Sequence, residues 1–175
     1  MGGLFRSVRR AEPSVGGYVL RVAPMIIVPG LIIAFAIVTL FEVLGIPTGL
    51  DGVFSEEVPG LSPQAQRILE GFLIVVFAPL VETLIMALIF WFLGVLRLSY
   101  SGLIIGQVLF WMFLHSAQAL AWGFTIAWAF LIFSMAYLAW REEHGTGKAI
   151  LVVTLLHAAN NAVAFGLTLL PELLS

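Results

Sequence analysis

The chain of 175 residues contains no cysteine and few charged side chains. The absence of cysteine excludes disulfide bonds, thiolate nucleophiles, iron–sulfur clusters and cysteine-based zinc sites. Charged residues make up 10% of the sequence and hydrophobic residues 61%, whereas an ordinary soluble domain has roughly 25% charged residues. A net charge of −2 without a large basic cluster argues against nucleic-acid binding. Any chemistry must therefore use His, carboxylate, amide or hydroxyl groups in a largely lipid environment.

Five apolar runs are long enough to cross the hydrocarbon core of a bilayer, which is about 30 Å thick and takes about 20 helical residues. They predict an all-α fold, a polytopic membrane helical bundle with about five transmembrane helices in a single domain. Short connections after the second run predict antiparallel neighbours. The five runs are residues 22–41, 71–96, 101–120, 122–140 and 149–170.

A longer polar segment separates the first two runs. It contains Ser62 followed by Pro63, a pair typical of a helix N-cap and the first helical turn. A helix over residues 63–96 would be about 51 Å long, which is too long for one straight span. We therefore expect a break in it, most simply at Pro79, whose missing N–H would also leave the carbonyl of Val75 free.

The positive charges favour one orientation across the membrane. With five alternating spans, seven of the eight basic residues lie on one face of the bilayer and only Arg67 lies on the other. By the positive-inside rule we expect a basic cytoplasmic N-terminal segment at residues 1–21, acting as an uncleaved signal anchor, and a single membrane domain at residues 22–175. The loop at residues 141–148 is then also cytoplasmic, and the polar segment at residues 42–70 lies outside.

Four strongly polar side chains lie within the predicted spans, where a charged group costs roughly 2.5 to 3.5 kcal/mol on insertion scales. Helical rise counted from the short loops places Glu82 and His115 level, about 21 Å from the cytoplasmic face, and His157 and Asn161 at about 12 and 18 Å. His157 and Asn161 also share a helix face at i, i+4 spacing. We expect all four to converge in one polar layer. For His157, Asn160 or Asn161 taken singly, the alternative is an interhelical hydrogen bond without chemistry.

The motifs around these residues resemble those of a known family. Residues 77–83 are FAPLVET, residues 111–115 are WMFLH and residues 157–161 are HAANN. Over about residues 75–165 the chain resembles the CAAX protease and bacteriocin-processing family (CPBP, or Abi) of intramembrane peptidases. The pattern of that family is E-E-x-x-x-R, F-x-x-x-H and H-x-x-x-N on three elements of a helical bundle.

The resemblance implies catalytic roles for Glu82, His115, His157 and Asn161. Glu82 would take a proton from a water held by His115, while His157 and Asn161 would donate hydrogen bonds to the developing oxyanion. Glu82, His115 and His157 could instead bind Zn²⁺ with an open position for water. The resemblance further implies that the protein is a CPBP-type endopeptidase of a prokaryotic plasma (inner) membrane. It would cleave a membrane protein or peptide in or near the lipid bilayer. Haem ligation by the two histidines is disfavoured because they lie at different depths.

Three positions depart from the family pattern. Thr83 stands in place of the second Glu, Ala87 in place of the Arg and Trp111 in place of the Phe. Thr83 and Trp111, together with Asn160, would support the site. Because the second Glu and the Arg are both missing, the alternative is an inactive pseudo-peptidase, a membrane-embedded assembly or stabilising subunit of a larger complex. Replacing Glu82 by Gln would abolish a peptidase function but leave the partner of such a subunit bound.

Overall fold

The computed structural model describes residues 3–12, 14–50 and 58–173. These residues form helices and their connections, and no strand occurs among them, which confirms the predicted all-α fold. The elements are α1 (Gly3–Arg9), α2 (Val15–Val43), α3 (Pro63–Phe72), a π-helical turn (Leu73–Phe77), α4 (Ala78–Val95), α5 (Tyr100–Ser116), α6 (Leu120–His144) and α7 (Thr146–Leu173).

Four helical segments are long and apolar enough to cross a membrane, which makes the chain an integral membrane protein. They are Val15–Val43, Pro63–Val95, Leu120–His144 and Thr146–Leu170.

The predicted third span corresponds to α5, which is shorter than expected. It has 17 residues, equivalent to about 25 Å. The predicted end of this span at residue 120 is wrong, because the chain leaves the helix after Ser116. The carbonyl of His115 accepts hydrogen bonds from the N–H groups of Gln118 and Ala119, which close the turn into α6.

α6 is the central helix of the bundle. It packs against α1, α2, α5 and α7, and nearly all side chains from residue 129 to residue 140 are buried. α4 packs against α5 and α7. The outer helices leave large apolar side chains such as Phe35, Leu88 and Phe113 exposed, as expected when lipid is the surrounding solvent.

The α5–α6 turn depends on a close approach of two helix backbones. A Cβ atom added at Gly123 would lie 2.2 Å from both the carbonyl oxygen of Met112 and the Oγ atom of Ser116. The start of α6 is also tied to the segment after α2, because the N–H of Ala121 donates to the carbonyl of Thr48 at 3.1 Å. These contacts fix α2, α5 and α6 relative to one another.

The helix from Pro63 to Val95 is continuous, so the predicted break at Pro79 is wrong. Its start follows the prediction, because the Oγ atom of Ser62 accepts a hydrogen bond from the N–H of Ala65 at 3.3 Å. The long helix accommodates the proline through the π-helical turn at Leu73–Phe77, directly before Pro79. A π turn widens the helix locally and changes which carbonyl loses its donor.

α1 folds back against the start of α2, which already begins at Val15. The hydroxyl of Tyr18 donates to the carbonyl of Val8 at 2.6 Å. The guanidinium of Arg21 donates to the carbonyls of Ser7 and Arg10 at 3.1 and 2.9 Å. The predicted N-terminal segment thus contains both α1 and the first turns of a membrane span.

Candidate functional site

Glu82 on α4 and His157 on α7 face each other inside the bundle. The Oε2 atom of Glu82 lies 3.8 Å from the Nε2 atom of His157. The side chain of His157 is 6% exposed, whereas that of Glu82 is 22% exposed. The imidazole packs against the rings of Phe133 and Phe130 at centroid distances of 4.8 and 5.6 Å. One side of the Glu82 carboxylate is therefore accessible to water or a ligand. The other side is covered by the His157 imidazole, which packs against two aromatic rings.

The accessible side of Glu82 faces a cavity of about 300 Å³. Residues of α2, the π-helical turn, α4, α6 and α7 line it, and most of these side chains are apolar. The polar side chains in its wall include Glu82, Thr125, Asn160 and Asn161. A cavity with few polar groups set in apolar walls is the usual form of a small-molecule or peptide site.

Asn161 donates a side-chain hydrogen bond to the backbone of the π-helical turn, and both partners line the cavity. Its Nδ2 atom donates to the carbonyl of Ile74 at 3.0 Å. This carbonyl lacks a helical donor for two reasons. The N–H of Ala78 donates to the carbonyl of Leu73 instead, and Pro79 has no N–H to supply the next bond. The proline therefore frees the carbonyl of Ile74.

Uniform α-helical spacing predicts a free carbonyl at Val75, whereas in the structure the free carbonyl is that of Ile74. The π-helical turn shifts the hydrogen-bond register by one residue. Asn160 lies beside Asn161 and donates from its Nδ2 atom to the Oδ1 atom of Asn161 at 3.3 Å. Ile74 accepts one of the two Nδ2 hydrogens of Asn161, and the Asn161 side chain lines the cavity.

His115 lies outside the cavity lining. Its Nδ1 atom is 2.9 Å from the carbonyl oxygen of Trp111, one helical turn earlier. Its ring packs edge-on against Trp122 at a centroid distance of 4.7 Å, and Trp122 itself lines the cavity. Of the four residues expected to converge, the structure thus brings Glu82, His157 and Asn161 together and sets His115 behind Trp122.

The three positions that depart from the family pattern lie in the bundle core. Thr83 is fully buried, and Ala87 is partly buried against the hydrophobic core. Trp111 is buried and stacks on Phe130 at a centroid distance of 4.7 Å. Within the described residues, the hydroxyl of Thr83 has no hydrogen-bond partner.

Phe130 is a site residue that the sequence did not indicate. Its ring contacts His115 and His157 at centroid distances of 5.8 and 5.6 Å and stacks on Trp111. It therefore joins the two histidines that belong to separate motifs. An aromatic residue within an apolar run carries no signal of this position in the sequence.

The expected zinc ligands do not assemble. Across residues 3–12, 14–50 and 58–173, no group of three or more His, Asp or Glu side chains is arranged to hold a metal ion. The Nδ1 atom of His115 is engaged by the Trp111 carbonyl, and its ring lies behind Trp122. The donor set of Glu82, His115 and His157 therefore does not fit a zinc site.

Comparison with known proteins adds no family assignment. No protein-family model, no curated protein and no solved structure matches this chain.

Proposed function

We propose that this protein is an intramembrane peptidase of the CPBP type, in which Glu82 activates a water molecule to attack a peptide bond. The observation that carries this proposal is that Glu82, which lies 3.8 Å from His157, lines a cavity of about 300 Å³ inside a membrane bundle. An intramembrane carboxylate is costly and marks a functional site by default. A pair formed by this carboxylate and an imidazole provides the proton acceptor that hydrolysis needs.

In the proposed reaction, Glu82 takes a proton from water as the water oxygen bonds to the scissile carbonyl carbon. The carbonyl becomes an oxyanion, and the second Nδ2 hydrogen of Asn161 and the amide of Asn160 are donors in the cavity wall that would stabilise it. When the C–N bond breaks, the proton held by Glu82 passes to the leaving amine. The Nε2 atom of His157 lies 3.8 Å from the Oε2 atom of Glu82, and His157 would orient the carboxylate when this contact shortens with substrate bound.

This scheme differs from the family-based expectation in the role of one histidine. His157, and not His115, stands beside Glu82. His115 packs against Trp122, which lines the cavity, and against Phe130, which also contacts His157. The substrate class is a membrane protein or peptide whose unwound segment fits the apolar cavity between α2, α4 and α7.

The orientation in the membrane is part of the proposal. With the basic end of the bundle facing the cytoplasm, α1 and the α6–α7 connection lie on the cytoplasmic side of a prokaryotic plasma (inner) membrane. Trp122 and Thr125, near the start of α6, are then in the outer half of the bilayer. The cavity would receive substrate from that half.

A pseudo-peptidase subunit is the second candidate, and two observations favour it. His115 is removed from the cavity by Trp122, and the position of the second family Glu is occupied by the fully buried Thr83. In this account the mostly apolar walls of the cavity seat a segment of a partner membrane protein, and Glu82 does not cleave it.

The two candidates are separated by comparing new protein N-termini in cells that make the wild type or Glu82→Gln. Glu42→Gln is the matched control, because Glu42 is an exposed acid near the end of α2 and does not line the cavity. A peptidase gives fragments with the wild type and Glu42→Gln but not with Glu82→Gln. A scaffold gives identical fragments from all three cell lines, and the same partner co-purifies with each variant.

A further inference from the structure

A second concave surface lies on the outside of the bundle, away from Glu82. Two adjoining depressions of about 350 and 250 Å³ run between α2, α5 and α6 and share Ile104, Ile105 and Leu131. They form one groove, which we call the α5–α6 groove. It has no lining residue in common with the Glu82 cavity.

The groove has one polar end and is apolar along the rest of its length. Arg9, Tyr100 and Ser101 lie at the polar end, where α1 meets the start of α5. Below them, the side chains of Ile105 and Leu109 on α5 are each 58% exposed. A charged mouth above an apolar channel matches a molecule with an anionic head and a hydrocarbon tail.

Arg9 is held in a position to bind such a head. Its guanidinium lies over the Tyr100 ring, 4.6 Å from the ring centroid. Within residues 3–12, 14–50 and 58–173, the ion pairs of this region use Arg21 and Glu12, and no carboxylate pairs with Arg9. The fixed backbone of α1, bound by Tyr18 and Arg21, orders the segment that carries Arg9.

We propose that the α5–α6 groove binds one anionic phospholipid of the bilayer. Arg9 and the hydroxyls of Tyr100 and Ser101 would bind the phosphate, and an acyl chain would lie along Ile105 and Leu109. Charge complementarity carries this assignment, since basic pockets between membrane helices bind anionic head groups and the planar guanidinium suits phosphate oxygens. The lipid would fasten α1 to α5 and α6. The proposal does not depend on peptidase activity.

The experiment reconstitutes the whole chain in vesicles of equimolar phosphatidylglycerol and phosphatidylcholine. The protein is then extracted in mild detergent, and its retained lipid is identified by native mass spectrometry. We expect the wild type to retain one phosphatidylglycerol. Arg9→Gln should lower its retention about fivefold, the effect of one basic residue near an anionic lipid. Arg9→Lys should restore most of it. Arg6→Gln is the matched control, because Arg6 is exposed on α1 but does not line the groove.

A second variant tests the apolar part of the groove without changing any charge. Ile105→Trp should fill the channel and displace the lipid. Its lateral exposure makes this substitution compatible with folding, which elution as a single monomer peak checks. Equal losses with Arg6→Gln and Arg9→Gln would overturn the proposal, because the attraction would then be a diffuse surface effect. Unchanged retention in Ile105→Trp, equal retention of the two lipids, or a dimer that Ile105→Trp converts to a monomer would also overturn it.

Discussion

Asn161 donates a hydrogen bond to the carbonyl of Ile74, the carbonyl that Pro79 and the π-helical turn leave without a helical donor. The same arrangement occurs in α2. Trp128 donates from its indole Nε1 atom to the carbonyl of Met25 at 3.1 Å, and the residue four positions after Met25 is Pro29. In both places a proline exposes a carbonyl inside a membrane bundle, and a side chain from another helix supplies the donor.

Asn161→Leu should destabilise the bundle, because it leaves the Ile74 carbonyl unpaired at a cost of about 1–3 kcal/mol. The free energy of unfolding, measured by denaturation in mixed micelles, checks this. In a Pro79→Ala background the loss should be smaller, because an N–H becomes available at residue 79. Asn160→Leu is the control, since Asn160 makes no bond to Ile74. Additive effects of Asn161→Leu and Pro79→Ala would contradict the account.

Trp128→Phe should remove the bond to the Met25 carbonyl while keeping an aromatic ring in contact with α2. We expect a loss of about 0.6–2 kcal/mol of unfolding free energy, as for other interhelical hydrogen bonds in membranes. Pro29→Ala should again reduce this loss, by restoring a helical donor. If Trp128→Phe costs the same in the wild type and in the Pro29→Ala background, the indole bond has no link to the proline.

Gly123→Ala should destabilise the α5–α6 turn, because its Cβ would lie 2.2 Å from the Met112 carbonyl oxygen. Overpacking of this kind costs about 1–3 kcal/mol. Gly94→Ala is the matched helical control, since a Cβ there meets no atom within 4 Å. Equal melting temperatures of Gly123→Ala and Gly94→Ala would contradict this prediction, because α5 and α6 could then move apart without a loss of stability.

The two histidines should differ in their effect on cleavage. His157→Asn should reduce the rate about 10²-fold, the effect of misplacing a catalytic group by about 1 Å, because His157 lies beside Glu82 and orients it. His115→Asn should reduce it far less, because His115 lies behind Trp122. Cleavage rates and melting temperatures of both variants separate the two effects. If His157→Asn and His115→Asn reduce the cleavage rate equally while remaining equally stable, His115 takes as large a part in cleavage as His157, which contradicts this account.

The sequence predicts the all-α helical bundle and the polar residues within its helices, but it does not predict which of these residues pair. Counting helical rise placed Glu82 level with His115 and offset from His157, whereas the structure pairs Glu82 with His157. Axial rise says nothing about the direction in which a side chain points around its helix. The π-helical turn before Pro79 also changes the face that α4 presents. α4 and α7 are in contact but are not consecutive in the chain. The length of a connecting loop therefore cannot predict their contact.

The most direct test of the central claim is hydrolysis by the purified protein in lipid vesicles prepared in H₂¹⁸O. The substrate is the protein whose new N-terminus is found with the wild type but not with Glu82→Gln. We predict that the wild type generates a fragment with one ¹⁸O atom in its new C-terminal carboxylate, and that Glu82→Gln generates none while folding normally. An equal yield of ¹⁸O-labelled fragment from Glu82→Gln would contradict the assignment of Glu82 as the residue that activates water.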